Sequence, residues 1–204
     1  DRFVRRLVRQ APVGRGHPVF GSGNGFLLVT GALGGTGFEV CRHLLLTSGQ
    51  PLLLVGRRPL SASSDAQRSA FARLQELGVV EFEAADVADY DTLGQVIEAG
   101  CRRWGRALDG ILHLAGVFEP RLLAAETSVT LADAFRAKVA GSWNIHRLLM
   151  SRPDVALIGF SSVNGLMGGY AAGAYAMANA FLDGLVHYHA EVLGRRAYSL
   201  AWSL

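Results

Sequence analysis

The stretch "VTGALGGTG" sets Gly31, Gly34, Gly35 and Gly37 between a short apolar run and the first helical period. Glycines at such a junction let the backbone approach a pyrophosphate closely, and the helix N-terminus adds unpaired N–H groups and a positive dipole end. The chemistry implied is nucleotide binding, with Thr30 and Leu33 in the same turn. The second apolar run ends in "VGRRP". Dinucleotide sheets that select NAD usually place an acid there, whereas arginine accommodates a ribose 2′-phosphate, so Arg57 and Arg58 favour NADPH. "AADVAD" puts Asp86 and Val87 after the third run, where the acid would meet an adenine amino group or else cap the next helix. "HLAGV" closes the fourth run with Ala115 and Gly116, small enough to leave room for a cofactor.

A second set of reactive side chains is more widely spread. "GAYAMANAF" carries Tyr175 and, four residues later, Asn179. Nineteen of the 20 basic residues are arginine, and Lys138 is the one lysine. Arginine has replaced lysine almost everywhere that a generic positive charge would serve. Composition alone does not say why this lysine stays.

The elements that must position these groups alternate between two periods. "GFLLVTG", "PLLLVGR", "VVEFEAADV", "LDGILHLAGV", "VALIGFSS" and "RAYSLAWSL" read as six strands. Between them lie amphipathic helices over 35–48, 65–78 and 90–105, a long helix over roughly 130–150 and another from about 173 to 193. Strands alternating with helices predict right-handed βαβ crossovers, hence an α/β fold: a Rossmann-type doubly wound parallel sheet with helices on both faces. The glycine turn and the strand ends then fall along one edge of that sheet.

Composition bounds the rest. A chain of 204 residues suits one domain, and half of it is apolar with only 18% charged, which is a well-buried globular composition. The net charge is +3, with basic residues scattered apart from a modest cluster in "DRFVRRLVRQ", so a nucleic-acid surface is weakly supported. Cys41 and Cys101 have no metal-ligand spacing and suggest buried thiols in a reducing compartment. No apolar run reaches membrane-spanning length. The expectation is a soluble cytoplasmic protein with no metal site. Residues 1–24, with Pro12, Pro18 and several glycines, read as a lead-in from something upstream.

The motifs "TGALGGTG", "GRRP", "ADVAD", "HLAGV", "AKVAGSWNIH", "FSSVNG" and "YAMANAFLDGL" together resemble the short-chain dehydrogenase/reductases, and within them the ketoreductase domains of modular polyketide synthases. The resemblance runs from about Gly25 to Leu204. It implies residues 1–24 as the tail of an upstream structural subdomain and 25–204 as the NADPH-binding catalytic part, lacking that family's final strand and lid. Classical short-chain reductases place a lysine four residues after the tyrosine. The polyketide ketoreductases exchange it with an asparagine and take the lysine from the helix before the fifth strand. Asn179 and Lys138 stand in those two positions, and Ser162 matches the family's serine.

The resemblance implies the following chemistry. Ser162 would donate a hydrogen bond to a ketone oxygen and Tyr175 would act as general acid. Lys138 would place a positive charge beside the phenol and hold the nicotinamide ribose, and Asn179 would anchor Lys138 or a relay water. The substrate would be a β-ketoacyl chain on the phosphopantetheine arm of an acyl carrier protein, with neighbouring megasynthase domains as further partners. Other readings are an α-ketoacyl reductase of a nonribosomal peptide synthetase, a free-standing reductase of small ketones, and an inactive scaffold domain. Where one stereochemical subtype carries Leu-Asp-Asp, this chain has Phe118, Glu119 and Pro120. Where the other carries a tryptophan, it has Met167. The configuration of the alcohol is therefore left open.

Overall fold

The computed structural model describes residues 19–20 and 23–202. The expected lead-in over 1–24 lies outside the described residues except for Val19, Phe20, Gly23 and Asn24.

Six strands form one sheet: β1 (Phe26–Thr30), β2 (Leu52–Gly56), β3 (Val80–Ala84), β4 (Leu108–His113), β5 (Ala156–Ser162) and β6 (Ala197–Trp202). Their order is β3-β2-β1-β4-β5-β6 and every pairing is parallel. The chain winds outward from β1 to β3, then returns to β4 on the other side of β1. The switch between β1 and β4 opens a crevice at the carboxyl ends of the strands, where doubly wound sheets bind ligands. Burial on both faces explains the near-continuous apolar runs of β1, β2, β4 and β5, while the edge strands β3 and β6 are more open. Phe26 and Leu28 of β1 join one core cluster, with Leu93, Ile97, Ile145 and Leu149, while Leu27 and Val29 join the other, with Cys41, Leu45 and Leu74. Cys41 is a free thiol, and burial pushes its pKa up to about 12.

Helices α1 (Gly35–Thr47) and α2 (Asp65–Gln75) cover one face; α3 (Tyr90–Trp104) and two later helices cover the other. Local signals set several ends. Ser64 and Gln67 form a capping box at the start of α2, and Asp89 caps α3 by accepting from Thr92 N at 3.1 Å. Gly105, at φ 58°, ends α3 in the left-handed region.

The long helix expected over 130–150 is not continuous. It begins as α4 (Ser128–Phe135), widens into a π-helical turn over Arg136–Gly141, and resumes as α5 (Ser142–Met150). After β5 comes a short α6 (Asn164–Met167), which the sequence reading did not separate, and then α7 (Gly173–His187), followed by a second π turn over Tyr188–Val192. Lys138 sits inside the first π turn. Such insertions are held by tertiary contacts and recur at functional sites.

Candidate functional site

A cleft of about 670 Å³ opens over the carboxyl ends of β1, β2, β4 and β5. Nearly every residue expected at the site lines it. Gly31, Leu33, Gly34, Gly35 and Gly37 come from the β1–α1 turn, Arg57 and Arg58 from the end of β2, and Asp86 and Val87 from beyond β3. Ala115 and Gly116 follow β4, and Lys138, Ser162 and Tyr175 complete the wall. Thr30 and Asn179 do not line it; both are fully buried behind it.

The glycine turn is built for close approach. Gly31 has φ 73°, and a Cβ there would stand 2.7 Å from the backbone N of Ala115, so only glycine fits between the two strand ends. The N-cap of α1 is Gly34, with no side-chain cap and no acidic residue in the first turn. The N–H groups of that turn are therefore unmasked by any side chain, which suits an anion. Arg57 and Arg58 are exposed on the same wall. This cradle of glycines and bare helix N-terminus, with two arginines on the same wall, fits a dinucleotide.

Asp86 is committed to the protein itself. Its Oδ1 accepts from Ala88 N at 2.9 Å and its Oδ2 from Arg136 Nε at 2.7 Å, which ties the third strand's exit to the π turn. It does not cap α3; Asp89 does. The Arg136 pairing, fifty positions away, has no local sequence signal.

Lys138 is 3% exposed, and its ammonium donates to the carbonyl of Phe160. The β4–β5 pairing ends at His113 opposite Gly159, while β5 continues to Ser162. The ammonium thus occupies the gap past the end of β4. Burial lowers its pKa to about 8, opposed in part by the carboxylate of Asp183. Gly116 is small for this reason as well: a Cβ there would stand 2.8 Å from Lys138 Cε.

Ser162 Oγ accepts from Asn164 N at 3.2 Å, which leaves its own proton free for the cleft. Asn179 does not anchor Lys138. Its Nδ2 donates to Tyr175 O at 2.9 Å, and its buried Oδ1 has no hydrogen-bond partner among the described residues.

Thr30 works from behind the wall through a residue the sequence reading passed over. His113 is fully buried, with Nε2 3.1 Å from Ala137 O and Nδ1 2.8 Å from Thr30 Oγ1. A carbonyl only accepts, so Nε2 carries the proton and Nδ1 takes the hydroxyl proton of Thr30. Thr30 Oγ1 in turn accepts from Ala115 N at 3.2 Å. Burial, aided by the charge of Lys138, lowers the His113 pKa to about 3, so the ring stays neutral. The chain of bonds fastens β1, β4 and the residue before Lys138 to one another. "HLAGV" contained the signal, since a histidine at a buried strand end must find two partners.

Residues 25–204 match the family described as KR domain. The spectinabilin polyketide synthase system protein NorB of Streptomyces orinoci is 35% identical over 184 residues, 89% of this chain but 8% of that protein. Among solved structures, one titled as an adenylation, ketoreductase and pseudo Asub multidomain structure of a keto acid-selecting NRPS module gives a TM-score of 0.82 at 33% identity, covering 89% of this chain and 16% of that one. The ketoreductase from the first module of phoslactomycin biosynthesis in Streptomyces sp. HK803 gives 0.77 at 32% identity, over 87% of this chain and 41% of that one. This chain therefore spans less than half the length of each of these proteins. Among the described residues, no helix is long and apolar enough to cross a membrane.

Proposed function

The chain belongs to the KR-domain family, the ketoreductase domains of polyketide synthases, and from that premise we propose that it uses NADPH to reduce a β-ketoacyl group to a β-hydroxyacyl group while the acyl chain rides on the phosphopantetheine arm of an acyl carrier protein. Residues 25–204 would be the catalytic part and 1–24 a lead-in, within a cytoplasmic megasynthase. The observation that carries the reading is Lys138: the one lysine in the chain is buried, with its ammonium on Phe160 O, on the same cleft wall as Ser162 and Tyr175.

KR domains use a nicotinamide cofactor. The unmasked N-terminus of α1 and the β1–α1 glycines would hold the pyrophosphate, with Arg57 and Arg58 on the 2′-phosphate and Asp86 and Val87 beside the adenine. The bound cofactor would supply the hydride. Ser162, its oxygen already accepting from Asn164 N, would donate its proton to the ketone oxygen. Tyr175 would protonate the alkoxide as negative charge develops on it. The buried Lys138 ammonium would stabilise the phenolate left behind, in surroundings where a charge acts more strongly than in water. Asn179, bonded to the Tyr175 carbonyl, would hold the turn of α7 that carries the phenol.

A second reading is reduction of an α-ketoacyl group, favoured by the likeness to the ketoreductase of a keto acid-selecting NRPS module. One experiment addresses both. The polypeptide is incubated with NADPH and a carrier protein loaded with either a β-keto or an α-keto acyl chain, and intact mass is followed. A gain of two hydrogens on the β-keto species supports the proposal, and gain on the α-keto species alone supports the second reading. Reduction of free small ketones as efficient as that of carrier-bound ones at equal concentration would overturn both.

A further inference from the structure

The start of α7, which bears Tyr175, lacks the usual local devices for fixing a helix end. Gly168 and Gly169 precede it, its N-cap Ala172 makes no side-chain cap, and its first residue is Gly173. Glycine and an absent cap both leave a helix terminus free to fray. Among the described residues no hydrogen bond holds the Tyr175 hydroxyl. Yet a general acid must meet the alkoxide within a narrow range of distance and angle.

What this start lacks locally is supplied by the segment leaving β4. Residues 118–123 run beside it and touch it at three successive points. The ring of Phe118 meets that of Tyr175 edge-on, with centroids 4.9 Å apart at an interplanar angle of 62°, a favoured aromatic geometry. Arg121 N donates to Ala171 O at 2.8 Å and forms a single parallel bridge with Ala172. Leu123 lies over Gly173, where an added Cβ would sit 3.4 Å from its Cδ1. Ala171 itself has φ 52°, and it is the one non-glycine described residue with a positive φ. Such a conformation is costly for alanine and persists where surrounding contacts enforce it. Here the enforcing contact is the bridge from Arg121.

We propose that Phe118 is a positioning residue for the reduction: with the 118–123 strap it fixes the first turn of α7 and the direction in which Tyr175 presents its phenol to the cleft. The role rests on the ketoreductase reading above. Phe118 is 44% exposed and lies on the cleft wall, so replacing it leaves the core intact.

The test compares Phe118→Ala and Phe118→Tyr with the unaltered full polypeptide. Turnover of a β-ketoacyl N-acetylcysteamine thioester is measured at saturating NADPH, NADPH affinity by cofactor fluorescence, and amide hydrogen exchange at residues 176–178, whose N–H groups are the first of α7 to be bonded within the helix. Phe118→Ala should lower kcat about tenfold, in keeping with the sensitivity of catalysis to small misplacements. NADPH affinity should stay within about twofold, the amides should exchange at least about fivefold faster as the turn loosens, and Phe118→Tyr should restore all three. An alanine variant with unchanged kcat or unchanged exchange overturns the proposal, as does an equal loss of NADPH affinity, which would signal general damage to the cleft. If the unaltered protein reduces neither the thioester probe nor a carrier-bound keto chain, the ketoreductase reading falls, and the exchange measurement alone then decides whether Phe118 holds the helix start.

Discussion

Replacing Lys138 by methionine exchanges a buried ammonium for an uncharged side chain of similar length. The lysine pKa falls from 10.5 to about 8 in the fold, chiefly because burial disfavours the charge. At about 1.4 kcal/mol per pH unit, that is a cost to the folded state of about 3 kcal/mol at neutral pH, as an upper bound. Methionine removes the cost but also leaves Phe160 O without its donor, which takes back about 1–3 kcal/mol. Lys138→Met should therefore be about as stable as the unaltered protein at pH 7. Activity should nonetheless fall by about 100- to 10,000-fold, the usual contribution of general acid catalysis. Tyr175→Phe should be at least as damaging, and Asn179→Ala less so.

The pH dependence sharpens the test. The folded pKa lies below the unfolded one, so between about pH 8 and 10.5 the unfolded chain binds the proton more tightly. Across that window the unaltered protein should gain stability with pH relative to Lys138→Met, while the buried Cys41 thiol lowers the stability of both above about pH 9. Turnover should move the other way, falling as pH passes about 8. Urea unfolding and saturating kinetics on both proteins from pH 7 to 10 supply the two curves. A folded Lys138→Met protein with near-normal turnover, or activity that is flat through pH 9.5, would refute the reasoning.

Two further expectations follow from the same cleft. Changing Arg57 and Arg58 to alanine should remove most of the preference for NADPH over NADH, since charge-assisted hydrogen bonds contribute about 1.5–3 kcal/mol each; the ratio of kcat/KM for the two cofactors measures it, and an unchanged ratio would rule out the assignment. Burial holds the His113 pKa at about 3 in the fold, against an ordinary 6.5, so stability should be lost as pH falls below 6.5, and His113→Gln should flatten part of that loss in urea unfolding at pH 7, 5.5 and 4.5.

The alternation of strand and helix, and the glycines at the first crossover, were legible because both follow from short-range rules. Short apolar runs bounded by glycine and alternating with helical periods read as strands, whereas the order β3-β2-β1-β4-β5-β6 required the fold. Long-range pairings were less visible. Nothing local announces that Arg136 takes Asp86, that a helix expected to be continuous widens at Lys138, or that Asn179 turns toward the Tyr175 carbonyl. Thr30 and Asn179 stand at motif positions yet lie buried behind the cleft wall, because motif position records neighbourhood and not the direction of a side chain. Phe118 stood out as a departure from the family pattern; its contact with Tyr175 required the fold.

The bond from Lys138 to Phe160 O separates two properties that a mutation removes together. A neutral amine still has two N–H groups and can keep one of them on the carbonyl. Raising the pH past about 8 therefore strips the charge while leaving the tether in place. Alkali thereby removes the Lys138 charge reversibly while its tether to the Phe160 carbonyl can remain. The difference between the alkaline protein and Lys138→Met would then report what the tether itself contributes to catalysis.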